Sequence, residues 1–93
     1  MNLLNDPGNY YHLNLAGAKT IDETKVFEAG KKANFFILII SGQTIYVHNS
    51  NMEIKYNYEY YGAEALKFAE EDFIPDFSVC ANSNLIYFKL RVD

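Results

Sequence analysis

From Phe35 to Ile40 six apolar residues run without a break, and Ser41-Gly42 ends the run. A run this short, rich in Ile and Phe and stopped by turn residues, reads as a strand with both faces buried. Thr44-Ile45-Tyr46-Val47 then begins the next strand of the same sheet system. Further on, Met52, Ile54, Tyr56, Tyr58 and Tyr60 alternate with Glu53, Lys55, Asn57 and Glu59. This period of two predicts one long strand over 52–60, with its apolar side on the core and its polar side in water. The tyrosine rings would then roof the core with wet hydroxyls. The same ladder also offers amphipathic contact area of the kind found at protein interfaces.

Tyr11, Leu13 and Leu15 alternate with Tyr10, His12 and Asn14, which predicts a first strand. A second is expected over 24–29, turned by Ala29-Gly30-Lys31-Lys32. Ala63 to Asp72 is the one convincing helix former, with Leu66, Ala69 and Phe73 at helical spacing. Acids near its C-terminal end oppose the helix dipole and limit it to two or three turns. Ile74-Pro75-Asp76 stops it. Phe77, Val79 and Ala81 form a short strand. The last strand is expected to turn Ile86, Phe88, Leu90 and Val92 inward, opposite Leu85, Tyr87, Lys89 and Arg91. Asn49-Ser50-Asn51 and Asn82-Ser83-Asn84 supply turns. About seven strands with one short helix near 63–72 make an all-β domain, a β-sandwich, jelly roll or β-roll. Turn chemistry at Asn5-Asp6-Pro7-Gly8-Asn9 marks residues 1–9 as an N-terminal arm and 10–93 as the β domain.

Composition narrows the function more than the fold. The 93 residues make one domain, 49% hydrophobic and 16% aromatic, with a well-supplied core. A net charge of −4 and one basic doublet, Lys31-Lys32, disfavour nucleic acid, which needs clustered cations. The doublet reads as a solvated turn. The apolar run is far shorter than the roughly 20 residues that cross a bilayer, and Met1 to Pro7 has no signal-peptide pattern. The expected location is soluble and intracellular, or in a virion. Cys80 is alone, so no intrachain disulfide forms, and between Val79 and Ala81 it reads as a small core or sheet residue.

Catalytic chemistry is sparse. His12 and His48 are the only histidines, and no His-x-His or Cys-x-x-Cys spacing announces a metal. There is no Gly-x-Ser-x-Gly and no phosphate-binding Gly-x-x-x-x-Gly-Lys. Glu64, Glu70, Glu71, Asp72 and Asp76 could supply a carboxylate pair, but such a run is usually a solvated face. It could also let a small acidic inhibitor mimic nucleic acid. The expectation is no enzyme activity, no metal and no cofactor.

Two resemblances add to this. From Lys25 to Val47 the chain resembles the β-roll of cyclic-nucleotide-binding domains. Val26-Phe27-Glu28-Ala29-Gly30 is similar to the strand and glycine turn there, and Phe36 to Gly42 to the strand that follows. Tyr61-Gly62-Ala63-Glu64-Ala65-Leu66 resembles the Phe-Gly-Glu-x-Ala-Leu motif that holds the ribose and phosphate. Two departures bear on function. Ala63 stands where the ribose-binding glutamate belongs, and Asp76, after Pro75, stands where the family has the arginine that pairs the cyclic phosphate. The resemblance implies a degenerate, cyclic-nucleotide-binding-like interaction module.

The chain is also similar in style to small virion accessory proteins of tailed phages, of decoration or fibre type. The arm through Asn14, the strand with Thr44-Ile45-Tyr46-Val47 and the closing region from Phe77 to Leu90 carry that likeness. It implies a non-catalytic assembly protein acting through protein–protein contacts, as a homo-oligomer or within a larger complex. The expected contact residues are Tyr56, Tyr58, Tyr60, Tyr10, Leu3 and Leu4.

Overall fold

Gly42 is where the chain passes from one sheet to another. In the computed structural model, which describes residues 7–67 and 71–92, eight strands follow one another. They are β1 (Tyr10–Leu13), β2 (Lys25–Phe27), β3 (Phe35–Ser41), β4 (Thr44–His48), β5 (Asn51–Lys55), β6 (Tyr60–Tyr61), β7 (Ser78–Ala81) and β8 (Leu85–Arg91). A short helix, α1 (Ala63–Lys67), lies between β6 and β7. One sheet has the order β1-β8-β3-β6 and the other β2-β7-β4-β5, with every pairing antiparallel. The all-β expectation with one short helix holds. Because β3 and β4 belong to different sheets, Gly42 makes the corner at φ +116°, where a Cβ would strike the Asn84 carbonyl oxygen.

The two sheets close on one core. Ile37, Ile39 and Leu85 come from the first sheet, and Phe27, Val79 and Ala81 from the second. Ile39 and Val79 are fully excluded from solvent, and each such burial stabilises by about 1.5–3 kcal/mol.

Four expectations need correction. The run at 35–40 buries one face only: Ile37 and Ile39 are buried, while Phe35, Phe36, Leu38 and Ile40 are half-buried. The expected strand over 52–60 is two strands in different sheets. Asn57 and Tyr58 turn the chain between them, with Tyr58 at φ +70°. The turn is held by Asn57 Oδ1, which accepts from Gly42 N at 2.8 Å, and by Tyr58 N, which donates to the Ile39 carbonyl at 2.7 Å. The tyrosines therefore do not roof the core: Tyr56, Tyr58 and Tyr60 are 63%, 73% and 59% exposed.

In β8 both alternating sets bury a residue, Leu85 on one face and Phe88 on the other, and the set that meets the inter-sheet core is not the expected one. Leu85 and Tyr87 pack on the core beside Ile39, whereas Phe88 lies on the other face under the Tyr10 ring. Finally, the helix is shorter than expected. Glu71 and Asp72 are not helical, and Asn34 Oδ1 accepts from Phe73 N at 2.7 Å just beyond them.

Candidate functional site: an aromatic hollow beside the helix

Tyr61 ends β6 buried, with its ring crossing the core toward β4. Its hydroxyl lies 2.9 Å from that of Thr44, itself fully buried. Tyr46, two residues along β4 and on the same face, stacks on Tyr61 at a 6.3 Å centroid separation and 10° between planes. Phe77 closes the trio, 5.2 Å from Tyr46 and 6.3 Å from Tyr61. Burial pushes the Tyr61 phenol above its ordinary value, with the Thr44 hydrogen bond pulling partly the other way.

Gly62 sends the chain from β6 into α1. Its φ is +87°, and a Cβ there would run into the Phe35 carbonyl oxygen and meet the Phe27 ring at 3.0 Å. Only glycine fits both the conformation and the space. Ala63 and Glu64 then open the helix, and Ala65 is buried.

Tyr46, Tyr61, Gly62, Ala63, Glu64 and Phe77 border a hollow of about 340 Å³, lined further by Lys55, Glu59 and Tyr60. Its charged lining is two carboxylates and one lysine. Glu53 engages that lysine at 3.0 Å, which raises the Lys55 pKa. A phosphate entering here would face Glu59 and Glu64 with its one cation already paired.

Of the two positions singled out in the sequence, Ala63 lines the hollow. Asp76 does not: its side chain is 83% exposed and meets His48 Nε2 at 3.1 Å. Tyr46, Lys55, Glu59 and Phe77 were not legible as a group, because strand pairing and the β7 approach bring them together from distant positions. A threonine opening the strand that continues Ile45-Tyr46-Val47 was the available signal for Thr44.

The other candidates fall elsewhere. Lys31 pairs with Glu28 at 3.1 Å and Lys32 with Asp72 at 3.2 Å, both lysines exposed, as a solvated turn would be. His12 and His48 sit in different sheets. Among the described residues no three His, Cys, Asp or Glu side chains converge. Cys80 is half-buried, and desolvation raises its thiol pKa. Tyr10 packs edge-on against Phe88, 5.8 Å away, while Leu3 and Leu4 lie outside the described residues. No helix among the described residues is long and apolar enough to cross a membrane.

No protein-family model matches the chain, and no curated protein matches it in sequence. Solved structures do. One, from work described as "A cyclic-GMP-dependent signalling pathway regulates bacterial phytopathogenesis", aligns with a TM-score of 0.66 at 14% identity. The alignment covers 90% of this chain and 63% of that one. Another, described as "Sp-2Cl-cAMPS bound to PKAR CBD2", gives 0.65 at 14% identity over 96% of this chain and 62% of that one. The chain thus spans less than two thirds of either structure's length. Both support the first resemblance rather than the likeness to virion proteins. What they establish is the fold, an all-β roll of the kind found in cyclic-nucleotide-binding domains.

Proposed function

We propose that this chain is a non-catalytic interaction module with the β-roll of a cyclic-nucleotide-binding domain and without its phosphate clamp. The observation that carries the reading is Asp76. It occupies the place of the phosphate-pairing arginine in the resemblance, turns to solvent and bonds to His48. Ala63 supports it from inside the hollow, since a methyl group replaces the carboxylate that would hold a ribose. Glu59 and Glu64 add like charge where a phosphate would lie. The shared fold is a regulatory one, which accords with an absence of catalysis.

Calorimetric titration with cyclic AMP and cyclic GMP tests this. The reading expects no saturable heat at millimolar nucleotide. Saturable binding of either would overturn it, because the one lysine lining the hollow is paired with Glu53 and shares the lining with Glu59 and Glu64.

A further inference from the structure

The sheet β2-β7-β4-β5 ends at β5, whose outer side pairs with no described strand. Open edges invite pairing with another chain, and proteins usually blunt them. Here the other edges are short or irregular. β6 has two residues, β2 has three with a register shift between Lys25 and Phe27, and β1 has four, three of them half-buried. β5 runs five residues with regular register against β4, and four of the five, Asn51 to Ile54, are exposed.

Its sequence is self-complementary. In an antiparallel pair centred on Ile54, each Glu53 stands opposite the partner's Lys55 and each Lys55 opposite the partner's Glu53. Ile54 meets the partner's Ile54, and Met52 meets the partner's Tyr56. Sliding by one pair toward the N-terminus places Glu53 against Glu53, and sliding the other way places Lys55 against Lys55. Directly opposed like charges destabilise a strand pair, while opposite charges stabilise it. A one-residue slip would put charged residues opposite apolar ones on both faces.

The face above the edge agrees. Met52 and Ile54 are 67% and 52% exposed and lie beside half-buried Val47 and Ile45, their register partners. Joining two copies would continue this apolar strip across the junction.

We propose that two copies of this chain pair β5 with β5 about a twofold axis at Ile54, making one eight-stranded sheet. The inference deepens the interaction reading by naming a second copy as the partner, with the Glu53–Lys55 exchange fixing the register.

Sedimentation velocity from micromolar to millimolar protein tests it. The wild type should show a reversible monomer–dimer equilibrium. E53K and K55E alone should each weaken it about tenfold or more, since both reciprocal pairs become repulsive. The double variant E53K/K55E should restore it, and a mixture of the two single variants should form a heterodimer. A wild type that stays monomeric throughout would overturn the proposal. So would a dimer that either single variant leaves unchanged, or one that the charge exchange does not restore. Far-UV circular dichroism of each variant confirms folding, as neither side chain belongs to the core. Nucleotide titration bears only on the functional reading, so the two can fail separately.

Discussion

The hydroxyls of Thr44 and Tyr61, 2.9 Å apart and shielded from solvent, tie one sheet of the roll to the other. Each is the partner that keeps the other from being a buried orphan. Replacing Thr44 by Val keeps the shape and strands the phenol. The expected loss is about 1–3 kcal/mol in urea denaturation. The double variant Thr44→Val/Tyr61→Phe removes both polar groups and should recover part of that loss. A double-mutant cycle with no coupling would show that the contact contributes nothing.

Alkaline pH should destabilise the protein through its buried phenols. Tyr61 and Tyr87 both have pKa values raised above 10.0, mainly by burial. A raised folded pKa means that this stability is present below the unfolded value and lost as pH rises through the folded one. Stability should therefore fall above about pH 10, with the buried phenols ionising later than exposed ones. Lys89, whose pKa burial lowers from 10.5, works in the opposite sense and softens the slope. Denaturation midpoints against pH, with phenolate absorbance in parallel, check this. Tyr61→Phe should flatten the alkaline fall.

Gly62 and Gly30 separate two costs of losing a glycine. Both have positive φ, +87° and +83°, but only Gly62 has backbone and ring atoms in the way of a Cβ. Gly30→Ala should cost about 1 kcal/mol for the left-handed conformation. Gly62→Ala adds a collision with the Phe35 carbonyl and should cost more than about 3 kcal/mol or prevent folding. Equal melting temperatures for the two variants would refute the crowding at Gly62.

Tyr58 is the opposite case. It is 73% exposed yet held at φ +70°, which costs a non-glycine residue about 1–2 kcal/mol. Tyr58→Gly should leave stability unchanged or raise it by up to about 1 kcal/mol, part of the relief being offset by unfolded-chain entropy. A core tyrosine would instead lose several kcal/mol. Tyr58→Asp should likewise leave the far-UV spectrum intact.

That tyrosine also shows where pattern stops informing. The strands at 10–13, 44–48, 78–81 and 85–91 were legible because alternation and turn residues mark them. Alternation continues unbroken through 52–60 although the chain changes sheets at Asn57-Tyr58. A switch held by one side-chain hydrogen bond and by backbone hydrogen bonds leaves no trace in hydropathy. In β8 both alternating sets contain large apolar residues, so period alone could not choose between Leu85-Tyr87 and Ile86-Phe88. The Tyr61-Gly62-Ala63 motif did land on the hollow. The aromatic trio closing it comes from β4, β6 and the approach to β7, a convergence that only tertiary structure reveals.

The proposed function is that of a β-roll like those of cyclic-nucleotide-binding domains but without nucleotide binding. Its most direct test is the melting temperature of the purified protein in millimolar cyclic AMP or cyclic GMP. A ligand at 100 times its Kd adds about 2.7 kcal/mol, which would shift a domain of this size by roughly 10 °C or more. The account predicts no shift with either nucleotide. A saturable rise with one of them would contradict it.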